Sequence, residues 1–382
     1  MLKRFFGLFQ PREKPAPRVE LRVIPRDHHN ISRKNISSNA LKVLYRLNEA
    51  GFDAFLVGGS VRGLLLGLAP KDFDVATNAT PEQVRHIFKN CRLIGRRFRL
   101  AHVHFGPEII EVATFRSSHD KGEEGEGHVS DHGQILRDNV YGNQEEDAIR
   151  RDFTINALYY SVRDFSVHDY AGGIEDIQNR TLRMIGDPLT RYREDPVRIL
   201  RVVRFAAKLD FAIAPATAAP VRELASLLGN VPPARLFDEI LKLLMTGHGG
   251  RTLQLLEEIG LLGALPPRTA PFRTRRAQAR NLVDLSLHPT DERVRSGRTV
   301  TPAFLFGALL WPAVSERQRL LEQEGLPPMQ AMQSAAYEVV ERQIRITALP
   351  KRYSLPMKEI WEMQIRLARK QGRRSLELLR QP

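Results

Sequence analysis

The sequence predicts an α/β head followed by an all-helical remainder, and three observations carry that expectation. From Phe55 to Val75, FLVGGSVRGLLLGLAPKDFDV, an apolar strand runs through a Gly-Gly break into a helix and on to a second strand. From Leu93 to Arg116, two further strands, His102 to Phe105 and Ile109 to Thr114, meet at a Gly106-Pro107 turn signal. Beyond Leu209 the strand signals fade and helical periodicity takes over, as in Leu236 to Met245, Leu253 to Leu262 and Met329 to Ala348.

In chain order, the stretch to about Arg26 carries Pro11, Pro15 and Pro17 among several charges and reads as a flexible arm. Its tip, Lys3-Arg4-Phe5-Phe6, suits a disordered leader or contact with a membrane surface. Ser37 to Gly51 reads as a helix with a serine cap and a glycine stop. Ser117 to Gln134, rich in Gly, Glu, Asp and His, reads as a mobile loop. Within it His128, Asp131 and His132 have a metal-like spacing but no fourth ligand, so a solvated insertion is the simpler reading. The pairs Pro232-Pro233, Pro266-Pro267 and Pro327-Pro328 punctuate the later helices. The expected organisation is a basic arm over 1–26, a head over 27–165, a helical neck over 166–235, a helical body over 236–330 and a basic helical C-terminal region over 331–382.

The chemistry concentrates in four stretches. In the first, Asp72 and Asp74 are two residues apart, a spacing that on a strand puts both carboxylates on one face while Phe73 and Val75 pack inward. Close carboxylates repel unless a cation sits between them, and magnesium with oxygen ligands, or manganese in its place, is the usual answer. Gly58, Gly59, Ser60 and Arg62 form a phosphate-sized hollow of backbone N–H groups, a hydroxyl and a guanidinium. In the second stretch Arg96, Arg97 and Arg99 cluster around Phe98, suited to a polyphosphate or nucleic-acid backbone. There Glu111 is either a third carboxylate or a surface strand residue, and Arg116, just past the strand, is a candidate nucleotide-binding residue. In the third, EEDAIRRDFTINAL, the apolar Ile149, Phe153 and Leu158 anchor a segment whose Arg151, Asp152 and Asn156 face a cleft. In the fourth, Glu194 and Asp195 precede a helix opened by Pro196, along which Arg198, Arg201 and Arg204 recur at helical spacing. Planar guanidinium groups there fit base edges or phosphates.

A net charge of +14, with a pI near 10.1, attracts phosphate polymers and implies salt-dependent binding. Arg366, Arg369, Lys370 and Arg373 share one face of a helix near the C-terminus, beside Trp361, which suits RNA backbone with some stacking. The single cysteine, Cys91, excludes an intramolecular disulfide and fits a reducing compartment. No apolar run reaches transmembrane length and MLKRFFGLFQ is too short for a secretory signal, so the chain reads as cytoplasmic.

Together LVGGSVRG, KDFDVATNATPEQV, RRDFTINALYY and REDPVRILRVVRFAAKL resemble the class II nucleotidyltransferases, the bacterial poly(A) polymerases and CCA-adding enzymes. GRRFRLAHVHFGPEIIEVATFR and IPRDHHNISRKNIS are similar to the bacterial poly(A) polymerases within that group. The resemblance implies a head of the nucleotidyltransferase, DNA polymerase β-like kind, a mixed sheet with helices, followed by all-α neck, body and C-terminal regions. It implies template-independent addition of AMP from ATP to RNA 3′ ends by two-metal-ion transfer, with CCA addition to tRNA or a non-catalytic RNA-binding role as alternatives. Asp72 and Asp74 match the metal-binding pair and Asp152 the third catalytic aspartate; Gly59, Arg62, Arg151, Arg198 and Arg201 match nucleotide-contacting positions, and Glu194-Asp195 with Arg198 the element that selects the base. RNA 3′ ends, the RNA-decay machinery and a monomeric state follow as expected partners and assembly. The family usually reads GGxVRD, whereas Gly63 stands where that Asp would orient Arg62 or the loop. The family's basic tail is often longer than this chain, which stops at Pro382, so a weaker hold on RNA is expected.

Overall fold

The structure, a computed structural model, describes residues 20–95, 99–117, 140–262 and 277–369, with backbone alone at 128–129, 135–137, 277–282 and 368–369. Helix α1 (Ser38–Glu49) starts where Ser37 Oγ accepts the Asn39 N–H at 3.2 Å, and buries Ala40, Val43, Leu44 and Leu47 at the i, i+3, i+4, i+7 spacing of an amphipathic helix. Next come β2 (Ala54–Val57), α2 (Gly59–Leu65), β3 (Asp74–Thr77) and α3 (Pro81–Ile87), the last opened by a reciprocal Thr80–Gln83 capping box. Strands β4 (Cys91–Ile94), β5 (Leu100–Phe105) and β6 (Glu108–Thr114) follow, then a small hairpin of β7 (His128–Val129) and β8 (Ile135–Arg137), helix α4 (Gln144–Ile149), and the pair β9 (Leu158–Ser161) and β10 (Val167–Asp169).

An eight-stranded sheet runs in the order β1-β10-β9-β2-β3-β6-β5-β4, with β1 spanning Arg22–Ile24. Its pairs are antiparallel except β3 with β6, which run parallel and bring Asp74 opposite Glu111. Side chains alternate across it as period two demands: Leu56, Val75 and Tyr160 face the main core, and Val57, Ala76 and Tyr159 a smaller cluster on the other side. Two expected boundaries shift. Arg22–Ile24 is an edge strand rather than part of the arm, and Val167–Asp169 carries the head's sheet past residue 165. Neither strand has the length or apolar alternation to show itself in sequence; the neighbouring strand supplies the backbone partners.

The rest is helical, apart from a parallel pair of β11 (Thr181–Leu182) and β12 (Ala212–Ile213), too short to leave a sequence signal. After α5 (Gly173–Gln178) come helices α6 (Pro188–Glu194) and α7 (Val197–Leu209), within the stretch expected as the neck. Helix α7 is buried along most of its length, and Phe205 meets Phe153 of the head edge to face at 5.6 Å. Helices α8 (Pro215–Ala218), α9 (Pro233–Leu244) and α10 (Gly249–Glu258) follow, and then α11 (Ala277–Arg295), α12 (Pro302–Gln323), α13 (Pro328–Thr347) and α14 (Lys351–Arg369). Phe237 stacks on Phe306 at 5.4 Å between α9 and α12. Trp361 is buried there, its indole N–H donating to the Gly307 carbonyl at 2.9 Å, so it is a core residue and not the stacking platform its sequence context suggested. No described helix is long and apolar enough to cross a membrane.

Candidate active site

The site is built where β2 ends and β3 begins. Gly58 has φ +69°, the left-handed region that residues with a Cβ avoid, and this turn carries the chain from β2 into α2. The buried Ser60 hydroxyl donates to the Val57 carbonyl at 2.9 Å, so it braces the turn from within rather than facing outward as expected. Asp72 lies just before β3 and Asp74 opens it; both are exposed while Phe73 and Val75 are buried, the predicted alternation.

Asp74 is open to solvent yet hemmed in by protein. Withdrawal from bulk water, Glu111 and, more weakly, Asp72 push its carboxyl up to about 6 against the pull of Arg151. Glu111, opposite Asp74 on the parallel strand, lies 3.4 Å from His102 Nε2. Among the described residues no three His, Cys, Asp or Glu side chains converge into a closed metal site. An open carboxylate pair with a third carboxylate alongside fits a hard cation that completes its shell with substrate oxygens, and charge crowding at Asp74 is what such a cation relieves.

Asp152 is differently placed. Its Oδ1 accepts the Phe153 N–H at 2.8 Å and Asn156 Nδ2 at 3.0 Å, and its Oδ2 accepts Arg201 Nε at 2.7 Å. Burial alone would raise this carboxyl, but Arg201 and these hydrogen bonds hold it at about 2. Asn156 Oδ1 in turn accepts from Arg62 Nη1, so Arg62, Asn156, Asp152 and Arg201 form one chain from α2 to α7. Burial, opposed by Asp152, lowers the Arg62 guanidinium to about 10. It stacks on Phe205 at 5.0 Å, and its Nε has no hydrogen-bond partner among the described residues. Asn156 and Phe205 thus orient Arg62 without the missing carboxylate at Gly63. A Cβ at Gly63 would lie 3.2 Å from Pro70 Cγ, a contact that requires Pro70 to give way.

Arg151 sits against the turn, where a Cβ on Gly58 would be 3.6 Å from its Nη1. Asp147, buried on α4, accepts Arg151 Nη2 at 2.9 Å, Arg150 Nε at 3.1 Å and the Tyr159 hydroxyl at 2.7 Å. Burial pushes its carboxyl up, but Arg151, Arg150 and the Tyr159 hydroxyl pull it down to about 2, and Arg151 stays protonated. Buried Arg116 belongs to the same corner, its backbone N–H donating to Asp147 Oδ1 at 3.3 Å. The base-selecting candidates are also paired: Asp195 takes a bidentate contact from Arg235 of α9 at 2.8 and 2.6 Å, and Arg198 Nη1 donates to Glu194 Oε2 at 2.8 Å. Arg191 Nη2 donates to the Arg151 carbonyl at 2.7 Å, tying α6 to the head. Arg204 pairs with Glu239 in the core, so it is not an outward member of the arginine stripe.

The sequence reading missed Asp147, Tyr159, Arg191, Arg235 and Glu239. Asp147 left one usable signal, with arginines three and four residues on; the others depend on contacts tens of residues apart, apart from Tyr159 eight residues from Arg151. Of the expected RNA contacts, Arg99 is exposed and 3.0 Å from Glu82, and Arg366 is exposed and 4.0 Å from Glu362. Arg369 is described in backbone alone, and Arg96, Arg97, Lys370 and Arg373, with Asp131 and His132, lie outside the described residues.

Residues 54–183 match the family described as the poly A polymerase head domain, 210–272 the one described as "Probable RNA and SrmB- binding site of polymerase A", and 324–382 its arginine-rich C-terminus. The chain is 53% identical over 376 residues to poly(A) polymerase I of Salmonella typhi, covering 97% of this chain and 81% of that one. It is 47% identical over 370 residues to poly(A) polymerase I of Haemophilus influenzae, covering 96% and 82%. A CC-adding tRNA nucleotidyltransferase of Halalkalibacterium halodurans is 33% identical over 232 residues, or 61% of this chain and 55% of that one. In structure, the Bacillus stearothermophilus CCA-adding enzyme in complex with CTP superposes with a TM-score of 0.55 at 28% identity, covering 86% of this chain and 81% of that one.

Proposed function

The chain belongs to the bacterial poly(A) polymerase I family, and from that premise we propose that it adds AMP from ATP to RNA 3′ ends without a template, releasing pyrophosphate. The observation that carries this reading is the near full-length similarity to poly(A) polymerase I together with intact Asp72 and Asp74 at the Gly58 turn. Asp72 and Asp74 would hold divalent magnesium, with Glu111 as the third carboxylate beside Asp74. When bound, the metal supplies Lewis acidity at the phosphates and eases ionisation of the RNA 3′-hydroxyl. Arg151 and the amides of the Gly58-Gly59 turn bind the triphosphate. Asp152 fixes Arg201 and, through Asn156, Arg62, so these cations are aligned before substrate arrives and little reorganisation accompanies transfer. Asp195 and Arg198, held by Arg235 and Glu194, present donors and acceptors to the adenine edge. Arg99, Arg366 and the basic C-terminal region support a hold on the RNA backbone, with a cytoplasmic, monomeric enzyme working beside the RNA-decay machinery.

Extension of a generic RNA oligomer and of a tRNA lacking its 3′ CCA, with each NTP singly and magnesium present, tests the reading. Long ladders from ATP alone on the generic RNA are expected; short additions that need CTP and are confined to tRNA would overturn it. Base selection has its own check. Arg235→Ala removes a charge-assisted pair worth about 1.5–3 kcal/mol, so KM for ATP should rise about tenfold or more, with kcat largely kept and preference for ATP over CTP reduced. An unchanged ATP-to-CTP ratio would mean that Asp195 needs no such support.

A further inference from the structure

The segment Ile24 to Ser37, IPRDHHNISRKNIS, has no part in the site above. It forms two single turns, Arg26–His28 and Arg33–Asn35, at one end of the head's sheet. His29 fastens it there: its Nε2 donates to the Phe165 carbonyl at 2.8 Å and its Nδ1 accepts the Ile31 N–H at 3.2 Å, an arrangement that needs the neutral ring. Phe165 has φ +60° in the turn between β9 and β10, and its ring carries the Arg33 guanidinium at 4.6 Å.

Between these groups lies a cavity of about 300 Å³ lined by Arg26, Ser32, Arg33, Lys34, Tyr160 and Phe165. Arg26 donates to the His29 carbonyl and Arg33 to the Tyr45 hydroxyl, each at 3.0 Å. None of Arg26, Arg33 and Lys34 has a carboxylate within ion-pair distance among the described residues; Asp27 lies against His28, and Asp164 accepts from Ser166. The Tyr160 ring is buried, yet its hydroxyl has no hydrogen-bond partner among the described residues, and Arg26 and Arg33 act on it electrostatically. Three cations without an ion-pair partner among the described residues and two hydroxyls line one hollow, outnumbering Asp164, the carboxylate that acts on Tyr160, and form an anion cradle. Its volume, at the small end for ligand pockets, suits a phosphate and its immediate substituent.

The cradle is remote from the transfer site. Asp74 pairs with Val57 at one end of β2, whereas the turn that carries Phe165 lies at the other, where Arg163 meets Asp53 at 2.9 Å. Tyr160 also faces the sheet side opposite to Tyr159 and Arg151. We propose that this cavity is a second phosphate-binding site, in which Arg26, Lys34 and the Ser32 and Tyr160 hydroxyls hold one phosphate group while Arg33, stacked on Phe165, sets the field.

Inorganic phosphate titrated into the full chain, read at the His29 ring nitrogens by NMR, tests this. Saturable shifts are expected in the native protein, with affinity at least fivefold weaker in R26S/K34S and reduced in Y160F, which keeps the packing. Arg26 and Lys34 are exposed, and ATP turnover on a short primer should be unchanged in the double variant. A second arm identifies the source of the phosphate. If the RNA backbone supplies it, the slope of log affinity against log salt for single-stranded RNA falls by about 0.7 for each phosphate that R26S/K34S no longer neutralises. An unchanged slope beside an abolished phosphate response assigns the cradle to a small phosphate-bearing ligand. No phosphate-dependent shift at His29, or the same shift in R26S/K34S, overturns the proposal.

Discussion

Asp74→Asn should lower AMP transfer at least about 10³-fold, about 4 kcal/mol of transition-state stabilisation, while leaving the metal-free protein folded and somewhat more stable than the native chain. The two effects have one cause. Asp74 carries its charge where surrounding protein, Glu111 and Asp72 all oppose it, which is why its carboxyl is pushed up to about 6. That arrangement favours a bound cation and penalises the empty site. Because Asp74 is solvent-exposed, the gain in the asparagine variant is discounted to about 1 kcal/mol. RNA affinity should stay nearly native, since Asp74 adds no positive charge to the RNA path. Single-turnover ATP incorporation, urea unfolding in EDTA and a filter-binding titration measure the three quantities. A folded Asp74→Ala protein that still extends RNA would falsify the assignment, and an asparagine variant less stable than native would remove the charge-crowding argument.

Asp147→Ala should destabilise the protein by about 3–5 kcal/mol, the usual cost of removing one partner from a buried ion pair. Arg151, Arg150 and the Tyr159 hydroxyl all lose their shared acceptor. Asp147→Asn, which keeps the volume, separates charge from packing and provides a folded control. The pH dependence has a definite sign. The folded carboxyl, at about 2, lies below its ordinary value of 3.8, so its contribution is present above about pH 4 and is lost as pH falls toward 2. The native protein should therefore lose roughly 2 kcal/mol more across that window than Asp147→Asn does. Urea midpoints measured from pH 5 to pH 2.5 check both statements; parallel curves for the two proteins would show that Asp147 carries no net charge interaction. With Arg151 released from Asp147, KM for ATP should rise in the asparagine variant more than kcat falls.

Much of this protein was legible along the chain. The Gly-Gly turn, the Asp72–Asp74 alternation, the serine-capped first helix and the switch to helical periodicity near Leu209 each depend on residues a few positions apart, and local spacing sets which face a side chain takes. The pattern of charged residues among apolar ones also singled out Arg151, Asn156 and the Glu194-Asp195 element, and the family motifs added roles for Arg151 and Glu194-Asp195. The direction of each side chain was another matter. Ser60 faces its own turn, Trp361 lies in the body core, Arg204 is paired with Glu239, and Asp152 clamps Arg201 while Glu111 stands beside Asp74. Apart from Ser60, whose acceptor is three residues away, those outcomes belong to the tertiary structure because each depends on a parallel strand pairing or a helix crossing that joins distant segments. Desolvation then decides which charges must find partners and which stay free to meet a ligand.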